Sequence, residues 1–361
     1  MVYPPERNYG CRLVTDVVLK GMRTVILENQ LLRITVLVDK GTDIWELLYK
    51  PLDIDFMWRS PMGLRNPNTF IPSSGTGKGF WFDYWEGAWQ EVLPNGGVAS
   101  SYKEADYGLH GESSLIPWDF RVVEDSPERV SVTFWARMYR SPFYIEKTLT
   151  LEEHSGALTI EETLVNEGRE EMAFMWGHHP AVGESFLDEH CTIDTGARRV
   201  HVMPGEPFFE TQRFKPGDDF RWPMGESRDG ESIDVSLVPP AANNTADMLY
   251  LSDCEEGWFA ITNQRLELGL GLVWPKEVFR YIWLWQVCKG WYEYPLYGRS
   301  HVMALEPFTS KPNAGISGAI EDGTAMYLGA GESISLEMKA IVYTGKGRVQ
   351  HLAEDGSIEW K

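Results

Sequence analysis

The sequence predicts an all-β fold, a sandwich or barrel of many short strands, and three observations lead there. Aromatic residues are abundant: 15 Trp, 15 Tyr and 16 Phe make up 13% of the chain, and large rings suit a pleated, half-buried surface. Apolar and polar residues alternate at every second position in several runs, which is the period of a strand. Gly (34) and Pro (21) punctuate those runs with the chemistry of turns.

The runs can be taken in chain order. In Arg33 to Val38, Ile34, Val36 and Val38 fall on one face. Val130, Val132 and Phe134 alternate with Ser131 and Thr133, and Leu158 and Ile160 do so in Ala157 to Glu162. Arg280 to Gln286 puts Tyr281, Trp283 and Trp285 on one face and Ile282, Leu284 and Gln286 on the other. The Trp face either lines a cleft or packs the core. Ser333 to Tyr343 sets Ile334, Leu336, Met338, Ala340 and Val342 against Ser335, Glu337 and Lys339. Turn signals separate the runs at Pro94-Asn95-Gly96-Gly97, Glu124-Asp125-Ser126-Pro127, Pro216-Gly217-Asp218 and Gly329-Ala330-Gly331. No long stretch has a helical period, and there is no internal repeat or low-complexity linker. The stretch from Pro61 to Ser101 is irregular, with Trp81, Tyr84, Trp85 and Trp89 among glycines, the composition of a functional loop. Phe208 to Ala242 reads as a polar surface excursion. One domain over residues 1–361 is expected, because all-β units often exceed about 200 residues.

Charge and composition exclude several functions. The 33 Lys+Arg against 53 Asp+Glu give a formal charge of −20. That balance opposes nucleic acid, an anionic membrane surface and strongly anionic substrates. No apolar run approaches the roughly 20 residues that span a bilayer, and MVYPPERNYG lacks the features of a secretory leader. Cys11, Cys191, Cys254 and Cys288 are too scattered for a disulfide framework or a structural zinc site. A reducing cytoplasm is the expected location.

Most motif matches fail. Gly75-x-Gly77-x-Gly79 lacks the spacing and the βαβ context of a phosphate loop. His110-Gly111-Glu112 lacks the Pro-Cys-x-x-Cys partner of zinc deaminases. His178 and His179 are neighbours, so on a strand they face opposite ways and cannot share a metal. Three segments remain: Tyr107 to Glu112 around His110, Trp176 to Ala181 around His179, and Met303 to Phe308 around Glu306. A carboxylate and an imidazole that converge in an aromatic cleft make a general base and acid pair. Each segment alone also fits an ordinary core histidine or a capped turn; their joint occurrence in an aromatic-rich β chain carries the functional reading. The strand rule places Glu306 beside Val302 and Ala304, apolar neighbours that would raise its pKa.

Together these segments resemble the aldose 1-epimerase, galactose mutarotase-like family. Thr24 to Asn29, Arg33 to Val36 and Asp39 to Leu47 look like its opening strands, and Trp89 to Gly97 looks like the segment framing its sugar pocket. His110-Gly111, His179-Pro180-Ala181 and Glu306-Pro307 match its two histidines and its catalytic Glu-Pro. The resemblance implies a β-supersandwich of large antiparallel sheets and interconversion of the α and β anomers of an aldose. Glu306 would take the proton of the anomeric hydroxyl, His179 would protonate the ring oxygen, and His110 would hydrogen-bond nearby. No metal or organic cofactor is implied. The partner would be a small sugar, and the protein a monomer or homodimer.

The sequence departs from the family where its members carry an Asn-Arg pair, reading Gly87-Ala88-Trp89-Gln90 instead. Gln90, with Trp89, Trp285 and Arg65 from the preceding loop, is therefore the expected binding set. Asp218, Asp219 and Asp253 are alternatives for a distal-hydroxyl contact. Two other functions use the same fold: a non-catalytic sugar-binding protein, and another sugar isomerase, lyase or hydrolase. A hydrolase would need a second carboxyl, with Glu112 or Glu91 as candidates, about 5–9.5 Å from the first.

Overall fold

The computed structural model describes residues 4, 6–72 and 74–361. Part of the N-terminal segment considered for a leader, residues 1–3 and 5, therefore lies outside the described residues. Two large antiparallel sheets dominate, one of 13 strands and one of 8, which is the expected galactose mutarotase-like sandwich. Five strands of the larger sheet carry the site: β1 (Trp89–Val92), β2 (Gly177–Gly183), β3 (Thr245–Ser252), β4 (Tyr281–Cys288) and β5 (His301–Phe308). They lie side by side in the order β1-β2-β5-β4-β3. Arg12–Val14, Met22–Glu28, Leu32–Leu37 and Asp43–Tyr49 extend the sheet beyond β1, and Arg199–Val202 and Asp219–Arg221 extend it beyond β3. In the smaller sheet Arg129–Arg137, Phe143–Glu152, Ala157–Asn166 and Ser333–Thr344 are consecutive neighbours. The alternating runs at 33–38, 130–134, 157–162, 280–286 and 333–343 fall on strands, apart from the end residues Val38 and Arg280.

Alternation divides the larger sheet into two chemistries. One face packs on the smaller sheet: Ile282 and Leu284 of β4 and Met303 and Leu305 of β5 join Val132, Phe134, Leu158, Ile160 and Met338 in one core. The other face gathers Trp283 and Trp285 of β4, Val302, Ala304 and Phe308 of β5, and Ala181 of β2 in a second apolar cluster. Burial of these side chains on both faces supplies the main stabilisation, at about 25 cal/mol per Å².

Two short helices depart from the strand-only reading. α1 (Gly77–Tyr84) starts at Thr76, whose Oγ1 accepts the Gly79 N–H at 3.0 Å, and α2 (Gly315–Glu321) follows β5. At 8 residues, α1 is about two turns, too short for its period to be read. The stretch from Phe208 to Ala242 is also more than a surface excursion: Asp219–Arg221 adds an edge strand, and Phe214 and Val235 enter the core. Among the described residues no helix is long and apolar enough to cross a membrane.

One glycine shows how tightly the aromatic face is packed. Phe308 stacks on Trp283 at 3.8 Å between centroids, with planes 7° apart, and Trp283 is fixed by its indole N–H to Ser310 O at 2.8 Å. Gly177 lies opposite Phe308, and a Cβ there would sit 2.5 Å from the ring. Gly177→Ala should destabilise the protein by about 1–3 kcal/mol through overpacking. An unchanged urea midpoint would show that the stacked pair slides freely.

Candidate active site

Register explains why His179 and Glu306 meet. Gly177 pairs with Phe308 and Ala181 with Ala304 across β2 and β5, so His179 and Glu306 stand opposite one another on the aromatic face. Their Nε2 and Oε1 atoms are 3.6 Å apart, beyond an ordinary hydrogen bond. Both side chains are buried, and Glu306 Oε2 and His179 Nδ1 have no partner. His178 points the other way, into the layer between the sheets, as strand geometry requires.

His110 arrives on a turn. Asn95 braces it, donating through Nδ2 to Val98 O and Gly108 O, both at 2.9 Å, and accepting the Ile316 N–H through Oδ1 at 2.7 Å. The His110 N–H donates to Gly97 O at 2.9 Å, and the Gly97 N–H donates to His110 Nδ1 at 3.2 Å. An accepting Nδ1 leaves the ring proton on Nε2. Gly97 has φ +77°, and a Cβ there would lie 2.0 Å from Asn313 O, so the Asn-Gly-Gly turn needs glycine at this point. The His110 and His179 rings are 5.6 Å apart.

Around these three groups lies a cleft lined mainly by aromatic side chains. α1 and the residue after it supply Trp81, Phe82 and Trp85; β4 supplies Trp283 and Trp285; Val98, Leu109, Phe208, Met248 and Trp291 complete the apolar side chains of the wall. Trp81 packs on His110 at 4.6 Å, and Trp285 and Trp85 flank His179 at 5.6 and 5.9 Å. The polar side chains of the lining are His110, His179, Glu306 and Asn313, together with the unbonded indole N–H groups of Trp85, Trp285 and Trp291, that of Trp85 being buried.

Burial sets the electrostatics. It pushes the Glu306 carboxyl well above the usual carboxylate range. It holds His179 down at about 4 and, with the neighbouring His179, holds His110 well below the usual imidazole value. At neutral pH both imidazoles are therefore uncharged, and burial biases any proton held by the pair towards Glu306. A carboxyl and an imidazole that share one proton can give it at one oxygen and take it from another.

The expected binding residues divide. Trp285 lines the cleft. Trp89 does not: it occupies the opposite face of β1, in the core, donating its indole N–H to His178 Nδ1 at 3.1 Å. Gln90 shares the face of His179, which it opposes across β1 and β2, but it lies under the lining. Its Nε2 donates to Gly87 O and Glu86 Oε1, in a sealed network where Lys40 Nζ bonds Asp43 at 2.6 Å and Glu86 at 2.7 Å. Arg65 also stays outside, donating to Asp83 O at 2.7 Å with its guanidinium over Phe70. Asp219 is tied to Arg199 and His201 on the edge strand, Asp218 accepts the Lys215 N–H, and Asp253 is exposed. Neither candidate second carboxyl faces the cleft. Glu91 is bonded to Lys147 and Trp176 between the sheets, and Glu112 accepts the N–H groups of Tyr139 and Arg140.

Among the described residues, one group has metal-ligand spacing: Glu91, Glu162 and His178, whose ligand atoms lie within 4.8 Å of one another. It is buried between the sheets, and Lys147 Nζ already provides positive charge 2.9 Å from Glu91.

Comparison with known proteins adds the following. Residues 19–342 match a family described as a domain of unknown function, DUF4432. No curated protein matches the chain. Among solved structures it is similar to a provisionally named aldose 1-epimerase from Klebsiella pneumoniae, at TM-score 0.67 and 14% identity, covering 93% of this chain and 83% of that one. It is similar to a galactose mutarotase-like protein from Clostridium acetobutylicum, at TM-score 0.62 and 14% identity, covering 93% and 99%. It is also similar to a galactose mutarotase related enzyme from Lactobacillus acidophilus, at TM-score 0.58 and 16% identity, covering 91% and 100%. At these identities the likeness is one of fold.

Proposed function

The chain belongs to the DUF4432 family, and from that premise and its site we propose that it is an aldose 1-epimerase, interconverting the α and β anomers of a sugar, with residues 1–361 acting as one domain. The observation that carries this reading is the opposition of His179 and Glu306 across β2 and β5, 3.6 Å apart and sealed in an aromatic cleft. Aromatic faces suit the C–H faces of a pyranose, and the gap between the two groups leaves both free for the substrate.

The reaction conserves the proton that the pair shares. With that proton on His179, Glu306 takes the proton of the C1 hydroxyl while His179 gives its own to the ring oxygen. The C1–O5 bond breaks and the C1 carbonyl forms. The proton now sits on Glu306, the state that burial favours. Rotation about C1–C2 presents the other carbonyl face, and the transfers run backwards to close the ring. His110, with its proton on Nε2, donates a hydrogen bond beside the ring oxygen. Each positioned group contributes about 10²–10⁴-fold, which is enough for a reaction that proceeds slowly in water.

NMR exchange spectroscopy on a panel of aldoses tests the reading. Protein-dependent α/β exchange is expected for at least one sugar; saturable binding without exchange would instead make this a sugar-binding protein. The pH profile should be bell-shaped and belong to the pair. On the acid side, activity falls as a second proton fills the pair near the His179 value of about 4. On the alkaline side it falls as the shared proton is lost, above the ordinary carboxyl range because burial raises Glu306. A profile that tracks only an unperturbed histidine would remove His179 and Glu306 from the chemistry.

A further inference from the structure

Resting on the epimerase reading, we propose that the substrate is an uncharged deoxy sugar, one that carries hydrogen or methyl where an ordinary hexose carries hydroxyl. The inference follows from what the cleft can offer beyond the reaction centre. Among the described lining residues there is no Lys or Arg. Two cations near it among the described residues are committed elsewhere: Lys40 to Asp43 and Glu86, and Arg65 to Asp83 O. A phosphate or a uronate would enter this site without a counter-charge, in a chain of net charge −20, and a buried unpaired anion is strongly disfavoured.

Hydroxyls are poorly served as well. Glu306, His179 and His110 are occupied at C1 and the ring oxygen. Two of the indole N–H groups in the wall are turned outward and already bonded, Trp81 to Ser114 Oγ at 3.3 Å and Trp283 to Ser310 O at 2.8 Å. Asn313 spends its Oδ1 on the Tyr250 hydroxyl at 2.6 Å, which leaves its amide N–H₂ as a donor. The Trp85 N–H is a further donor, buried and unpartnered, and the Trp285 and Trp291 indole N–H groups in the wall are unbonded as well. The rest of the wall is carbon and one thioether. A hexopyranose brings hydroxyls at C2, C3, C4 and C6, each both donor and acceptor, whereas this wall answers them mainly with donors: its one side-chain acceptor outside the reaction centre, Asn313 Oδ1, is already engaged by Tyr250. Each hydroxyl buried without a partner should cost about tenfold to a hundredfold in kcat/KM. A hydrogen or a methyl in the same place meets indole faces and loses nothing.

Matched pairs of sugars test this. D-fucose is compared with D-galactose, 2-deoxyglucose with glucose, and L-rhamnose with L-mannose, and galacturonate and galactose 6-phosphate are run beside them. The measured quantity is kcat/KM for anomer exchange by NMR with the full-length protein. The expected result is that, in at least one pair, the deoxy sugar exceeds its hydroxylated partner by about tenfold or more, while the two anions are not turned over. If the hydroxylated partners or the anions are turned over as well as or better than the deoxy sugars, the substrate inference is overturned and the epimerase reading stands. If no sugar on the panel exchanges, both are overturned.

Discussion

Replacing Glu306 by Gln is expected to remove catalysed anomer exchange and, in the same protein, to raise its stability at neutral pH. The activity loss should be at least about 10²–10⁴-fold, the worth of one positioned acid–base group, because the amide can neither take the C1 proton nor hold the shared one. The stability gain has a different origin. Glu306 is buried among Val302, Ala304 and the indoles, with one carboxylate oxygen unpartnered, and burial raises its pKa in the folded chain. For an acid shifted upward, the native state gains from the protonated form and loses as the carboxyl ionises. The wild type should therefore hold its full stability below the ordinary value of 4.5 and lose part of it as pH rises through the raised value. Every tenfold by which folding weakens the acid corresponds to about 1.4 kcal/mol, and Gln escapes this loss. The difference in stability between variant and wild type should be near zero at pH 4 and grow towards neutrality. Urea denaturation of both proteins across that range reads it directly. A constant difference would mean that the carboxyl ionises at no cost, and unimpaired exchange would mean that another group is the base.

This linkage bears on how much of the site the sequence showed. The faces were legible because they follow from a period of two. Counting alternate positions placed Trp283 with Trp285 on one strand face and Glu306 with Val302 and Ala304 on another, and the same count separated His178 from His179. What the period cannot supply is register between strands and the course of loops. Trp89 was linked to the pocket through likeness of its segment to a pocket-framing one, yet the strand period puts it on the face opposite Gln90, and the pairing of β1 with β2 sets Gln90 against His179. Gln90 was on the right face but is sealed by Lys40, Asp43 and Glu86, a network assembled from positions far apart in the chain. Trp81, Phe82 and Trp85 were visible only as aromatics in an irregular stretch. The helix that aims the first two has a single local signal, the Thr76 cap. Phe208, Trp291 and Asn313 sit on segments with no period, so nothing local marked them.

Replacing Lys147 by Met should destabilise the protein by about 3–5 kcal/mol, the cost of stranding a buried charge. Lys147 lies on the inner face of the smaller sheet, its Nζ 2.9 Å from Glu91 Oε2, and both side chains are almost wholly buried. The other Glu91 oxygen accepts the Trp176 indole N–H at 2.9 Å. Beside them Trp89 donates to His178 Nδ1, which leaves the His178 proton on Nε2, facing Glu162 at 3.0 Å. The layer thus holds two carboxylates and one ammonium, with the imidazole between. Burial alone would raise both acids. For Glu91 the Lys147 ammonium, and then His178, outweigh it, so its pKa lies below the usual range. For Glu162 the Glu91 charge adds to burial, and its pKa is raised. Without Lys147, Glu91 would pass from the first condition to the second. A depressed acid gives stability that is present above its ordinary pKa and lost in acid; a raised acid gives the reverse. The Lys147→Met deficit should therefore be largest at neutral pH and shrink towards pH 4, where Glu91 can take a proton. Adding Glu91→Leu should recover much of the loss at neutral pH, because a buried pair replaced on both sides by apolar groups is often neutral. A deficit below about 1 kcal/mol, or one independent of pH, would show that water reaches Glu91 and that the layer is not dry. The same two proteins also bear on the site, because His178 and His179 are consecutive on β2. If the buried network positions that strand, the double variant will recover stability while exchange remains slowed, because Trp176, just before β2, has lost its acceptor and position 91, opposite His178, no longer holds it.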